Sequence, residues 1–222
     1  MGELAGRSAS PNADNIYPHS TSSICISSMT HTFVQLGSPD TFAIEARVRA
    51  IPEMYGYAGT IRIAVGGEWY GDIDDEYLLN RDLATFHTLP DFRNDKAVTK
   101  LLWPLPASAV LATIANNFYG HSFRDAVHVV GEDALFVSQF HLSLDSPSCD
   151  DIFAVIPGDG EFRICACDGY LGTEIEPIVL NRIRETKCTT SQLVSISKGL
   201  RAKVPPLPGV EFNWHPYGFE PD

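Results

Sequence analysis

Residues 66–76, GGEWYGDIDDE, place five carboxylates and two aromatic rings in eleven positions. Three kinds of chemistry are open to such a run. Asp72, Asp74, Asp75 and Glu76 could gather around a hard cation, which takes several oxygen ligands. The run is too dense for a calcium loop, however, and lacks the glycine at the sixth position and the glutamate at the twelfth that such loops carry. With His87 or His141 as acid–base partner, the same acids could serve a small metal-dependent hydrolase. Alternatively, plain negative charge beside Trp69 and Tyr70 could grip a basic protein, with the aromatic rings as anchors. A purely structural reading also stands: the acids end a strand and begin a helix, with Asp74 or Asp75 as the cap and Glu76 in the first turn.

A second acidic stretch, LDSPSCDD, carries Asp145, Asp150 and Asp151 between two expected strands. If sheet curvature brings it beside residues 72–76, the two form one acidic surface able to steer and hold a cationic protein. His121 and His128 are seven apart and would share a helical face, but no H-E-x-x-H or Cys-rich partner set accompanies them. His141 reads as a sheet residue. No G-x-S-x-G elbow is present, and the glycines of GDG at Gly158 and DGYLG at Asp168 lack the strand–loop–helix context and the lysine of a phosphate loop. No catalytic residue, metal or cofactor is expected on these grounds.

The totals narrow the partners. Sixteen Lys plus Arg against 28 Asp plus Glu give a formal charge of −12, which repels nucleic acid and anionic membranes and favours a basic partner. No apolar stretch approaches the roughly 20 residues of a bilayer crossing. The opening MGELAGRSASPNADNIYPHS lacks the basic start and apolar core of a secretory signal, so the expected location is the cytoplasm. Of five cysteines only Cys165 and Cys167 are close; on a strand, their spacing puts both on one face as reduced, buried thiols.

The elements that would carry these residues follow from periodicity. Residues 1–30 read as a leader outside the core, 31–202 as one domain, and 203–222 as a proline-rich tail that straps the surface. In TFAIEARVRA, Phe42, Ile44, Ala46 and Val48 alternate with Glu45, Arg47 and Arg49, the mark of a half-buried strand. Ile61, Ile63 and Val65 lead into Gly66-Gly67 and then Trp69-Tyr70, which predicts a tight hairpin. Leu79, Leu83 and Phe86 mark a helix, and Val110, Leu111, Ile114 and Phe118 a second, with Pro106 at its start. ALFVSQFHLSL, IFAVIPGDGEFRICACDG and TEIEPIVL read as further strands, with Pro157–Gly160 as a turn. TTSQLVSISKGL begins with capping residues and would face Leu193, Ile196 and Leu200 inward. The expected fold is α+β: a largely antiparallel sheet of about six strands with two or three helices packed on it.

This order of pieces resembles a known family. SPDTFAIEARV, then GTIRIAVGGEWYGDID with a following helix, then FHLSLDSPSCDDIFAVIPGDGEFRICACDG and the strand–helix unit GTEIEPIVLNRIRETKCTTSQLVSISKGL are similar to the immunity proteins of bacterial polymorphic toxin systems, especially the group catalogued as immunity protein forty-two. The resemblance spans about residues 33–200. It implies a cytoplasmic antidote that binds its cognate toxin domain and blocks it by occluding the active site or an exosite. Such a toxin is often a nuclease with a basic cleft. Candidate contacts are then Trp69, Tyr70, Asp72, Asp74, Asp75, Glu76, Asp145, Asp150 and Asp151; the oligomeric state is not read.

Overall fold

The computed structural model describes residues 31–54, 56–89, 96–119, 126–127, 129, 137, 141–142, 144, 151–170 and 179–205. These form nine strands in two antiparallel sheets and four α-helices, an α+β fold. Sheet A comprises β1 (Thr32–Gly37), β2 (Phe42–Ile51), β3 (Gly56–Val65) and β4 (Glu68–Tyr70) in that order, with β5 (Tyr77–Leu78) also on β3. Sheet B runs β6 (His141–Leu142), β7 (Asp151–Pro157), β8 (Glu161–Tyr170) and β9 (Val179–Thr189). The helices are α1 (Asn80–Thr88), α2 (Lys96–Leu102), α3 (Ala107–Tyr119) and α4 (Thr190–Lys203). The expected leader, most of the tail, His121, His128, Asp145 and Asp150 lie outside the described residues.

Alternation along β2 turns out as its sequence demands. Phe42, Ile44, Ala46 and Val48 join the core, while Glu45, Arg47 and Arg49 lie on the outer face of sheet A. Gly66 and Gly67 both take positive φ, 57° and 88°, closing β3 onto β4 in the predicted hairpin. In sheet B the pattern differs, because both faces are buried. On β7, Phe153 and Val155 point into the core shared with sheet A, α1 and α4, whereas Ile152, Ala154 and Ile156 point into a second core under α2 and α3. A strand covered on two sides needs apolar residues at every position, which is why DIFAVIP reads as a continuous run.

Cys165 and Cys167 share the α2–α3 side of β8 and are fully buried and free. Burial pushes both thiols up to about 12, so they stay protonated at neutral pH. On α4, a capping box forms as its first residues predict: the Thr189 hydroxyl accepts from Gln192 N, and the Gln192 side chain accepts from Thr189 N. Leu193, Ile196 and Leu200 face the core.

One element begins later than its sequence predicts. Rather than being capped by Asp74 or Asp75, α1 starts at Asn80, with no side-chain cap at Leu79. The cause is a long-range pairing: Leu78 and Tyr77 pair with Ala58 and Gly59 of β3, and Leu79 N–H donates to Tyr57 O, so the chain stays extended through Leu78 and cannot turn into the helix earlier. The first-turn acid is therefore Asp82, fully buried, whose carboxylate accepts from the Tyr77 hydroxyl at 2.6 Å. Asp72–Glu76 are left as a turn between two strands of sheet A.

Gly59 sits where β3 exchanges β5 for β4 as its neighbour, at φ 145°. A Cβ there would stand 1.8 Å from Arg47 O on β2, well inside contact distance. Gly59→Ala should therefore cost at least about 2 kcal/mol, combining backbone strain with strand displacement. Urea unfolding checks this; a midpoint equal to wild type would contradict the close approach.

Candidate functional site

Where the edge of sheet A meets sheet B, a groove of about 340 Å³ opens, lined by Arg62, Trp69, Gly71, Asp72, Ile73, Asp151, Asp168 and Arg182, with Tyr70 beneath. Of the second acidic stretch singled out in the sequence, Asp151 meets the first here: its carboxylate accepts from Gly71 N–H at 2.7 Å, tying the start of β7 to the turn after β4. Within that turn, Asp74 N–H donates to Asp72 Oδ1 at 2.8 Å, which fixes the backbone that holds both exposed carboxylates outward. Asp75 is partly exposed, and exposed Glu76 pairs with Arg49 at 2.5 Å.

Trp69 and Tyr70 part company. As adjacent strand residues they must face opposite ways. Trp69 lies on the outer face, half-buried, with the Arg62 guanidinium 4.5 Å from its ring centroid; Arg62 in turn binds Glu45. Tyr70 is 1% exposed, edge-on to Phe153 at 5.8 Å, and its hydroxyl donates to Arg182 O. Its ring thus belongs to the core, which corrects the expectation of an anchor open to a partner. Burial also raises its phenol above the ordinary tyrosine range.

Asp168 and Arg182, not proposed as site residues from the sequence, complete the groove. Asp151 and Asp168 stand directly opposite on β7 and β8, where like charges repel. Separate donors relieve this: Gly71 N–H serves Asp151, and Arg182 serves Asp168 at 3.1 Å. Arg182 also binds Glu68 at 2.9 Å and Trp69 O at 3.1 Å, so one guanidinium clamps sheet B to the rim of sheet A. It does so from φ 49°, an unusual conformation for a non-glycine residue. The alternation of Arg182 and Arg184 with Ile183 and Glu185 was the available signal, but the strand is too polar for a hydrophobic pattern to reveal it.

The histidines lie in other settings. His87 is 7% exposed in the packing of α1 on α4, and its backbone carbonyl accepts from Ser197 and Arg201 at 2.8 Å each. Burial and then the Arg201 charge hold it down to about 4, and burial and then Arg81 hold His141 at a similar value. Among the described residues, no group of three or more His, Cys, Asp or Glu is placed to hold a metal ion. No helix among them is long and apolar enough to cross a membrane.

The depressed His87 value fixes a sign for pH dependence. Its folded value of about 4 lies below its ordinary 6.5, so between those values the unfolded chain binds more protons. Stability then falls as pH drops from 6.5 towards 4, by up to about 3 kcal/mol for this one residue. Urea midpoints at pH 7 and pH 4.5 should converge in His87→Gln relative to wild type; an identical loss in both would refute the assignment.

No protein-family profile matches the chain and no curated protein matches it, so the particular immunity-protein group the sequence resembles has no family match behind it. Among solved structures, the crystal structure of CdiI from Burkholderia dolosa AUO158 is similar over 77% of this chain and 99% of that one, with 15% sequence identity and a TM-score of 0.47. An overlap of that size and identity transfers neither activity nor site residues.

Proposed function

We propose that this protein is an immunity protein: it binds a cognate bacterial toxin domain and neutralises it by covering the active site or an exosite. The observation that carries this reading is the seating of Asp151 against the Gly71–Glu76 turn beside Trp69. Asp72 and Asp151, distant in sequence, line one groove with a half-exposed indole. That combination, an aromatic anchor with carboxylates around it, suits a cationic protein surface. The charge of −12 supports it by drawing a basic partner in over long range. The order of strand and turn motifs, similar to polymorphic-toxin immunity proteins, supplies the biological class. The contacts proposed are Trp69, Asp72, Asp74, Asp75, Glu76 and Asp151; Tyr70, packed on Phe153 in the core, is not among them. The toxin is a protein with a basic cleft, such as a nuclease. This protein acts in the cytoplasm of the cell that makes it.

The test is co-expression with a candidate toxin, the C-terminal domain of any large secreted protein encoded immediately upstream. Growth should be restored and the two chains should co-purify. Growth arrest that persists with both chains soluble would overturn the pairing. Mg²⁺, Ca²⁺ and Zn²⁺ should leave the melting temperature of the free protein unchanged, since a native metal site would raise it by mass action.

A further inference from the structure

The outer face of sheet A is built of rungs of directly opposed residues that share one side of the sheet. In one rung Gln35 opposes Glu45 and Glu45 opposes Arg62, and the two charges bind each other at 2.9 Å. Two rungs along, Arg49 opposes Ala58, which opposes Leu78, and Arg49 is matched by Glu76. Between them lies the rung Phe33–Arg47–Thr60. The Arg47 side chain is exposed and makes no ion pair or hydrogen bond among the described residues. Phe33 is 54% exposed. Thr60 is 5% exposed, and its hydroxyl is buried with no hydrogen-bond partner.

We infer that the rung Phe33–Arg47–Thr60 is a docking strip for a carboxylate-bearing, apolar segment of the protein partner. This rests on the immunity reading and deepens it, because it adds a contact of opposite sign to the acidic groove. Where the neighbouring Arg49 and Arg62 are each neutralised internally, Arg47, without a counter-charge among the described residues, is available to an incoming acid. Thr60, buried beside Arg47, forms the floor of the rung and leaves Arg47 as its exposed polar side chain. Phe33 supplies the apolar area that isolated charge pairs lack. The strip is continuous with the groove, since Arg62 of the adjoining rung lies over Trp69. A second copy of the chain is the weaker occupant, because two bodies of charge −12 repel. A mixed pattern, acids around Trp69 and one arginine beside Phe33, discriminates among basic partners better than negative charge alone.

The test uses the full chain, the upstream-encoded toxin domain, and phenylglyoxal as an arginine-specific label read by mass spectrometry, with exposed Arg184 as internal reference. Arg47 should react in the free protein at every concentration and be protected in the complex. Arg47→Glu should weaken binding by about 30-fold or more, Phe33→Ala by about 10-fold, and Arg47→Lys by less, with unchanged circular dichroism melts. Full reactivity of Arg47 in a complex that still forms would overturn the strip and leave the immunity reading standing. Protection in the free protein at all concentrations would mean that another segment of this chain occupies it. Protection that rises with the concentration of this chain alone would mean a second copy does; either overturns the inference. Absence of any complex with wild type would overturn both readings together.

Discussion

Removing the Glu185 side chain should destabilise the protein more than removing its partner, Arg163. Arg163 lies in the second core with only 5% of its side chain exposed, and it makes a two-pronged pair with Glu185 at 2.9 and 2.8 Å. Its remaining nitrogen donates to Leu102 O and Trp103 O, the carbonyls at the end of α2 that the helix itself leaves unsatisfied. Glu185→Ala would strand a buried guanidinium without its counter-charge, at a cost of about 3 kcal/mol. Arg163→Met removes the charge and keeps the apolar stem, so the loss reduces to two carbonyl hydrogen bonds, about 1–2 kcal/mol. Glu185, 39% exposed, can turn to water in that variant. The double variant should therefore be more stable than Glu185→Ala alone, a sign that additive effects cannot give. Thermal melts should place Glu185→Ala about 6–12 °C below wild type. A double variant less stable than both singles would contradict this account of how α2 is held.

The second large effect concerns the groove. Asp72→Asn together with Asp74→Lys keeps the acceptor that receives the N–H of residue 74, so the turn should survive while its formal charge falls from −4 to −1. Association with a basic toxin domain should slow by about 10–100-fold at low salt, and the difference should shrink as ionic strength shortens the screening length. Dissociation should change less, because both positions are exposed and contribute more to steering than to packing. Trp69→Ala should show the opposite split, with faster dissociation and little change in the on-rate. Stopped-flow measurements at two salt concentrations separate the two. Equal effects of both variants on dissociation would remove the distinction between steering acids and an anchoring indole.

How far the sequence reveals this architecture depends on whether the deciding interaction is local. Alternation in FAIEARV and the Gly66-Gly67 turn are local, and β2, β3 and β4 form as they require. The capping residues before Leu193 likewise place α4. The start of α1 was not legible, because β5 forms only through contact with Ala58 and Gly59, about twenty residues earlier. α2, a short helix held at its end by Arg163 from β8, depends on a side chain 61 positions away. The single sheet expected from strand patterns is two, since an apolar run such as DIFAVIP does not reveal that its two faces serve different cores. In the candidate site, the acids of 72–76 and Asp151 were legible as charge, and their meeting through Gly71 was not. The opposite orientations of Trp69 and Tyr70 were available from strand geometry alone. Arg182 could not be found, since its role comes from a left-handed backbone and three partners on other strands.

The proposed mode of action is that a preformed surface of this protein occupies a toxin rather than a substrate. It is tested most directly by titrating the purified full chain into the active upstream-encoded toxin domain and following toxin turnover. Turnover should fall linearly to zero at a fixed stoichiometric ratio, with the inhibited complex isolable intact. Turnover unchanged by a large excess of the folded protein would contradict it, as would inhibition that depends on time and catalytic amounts.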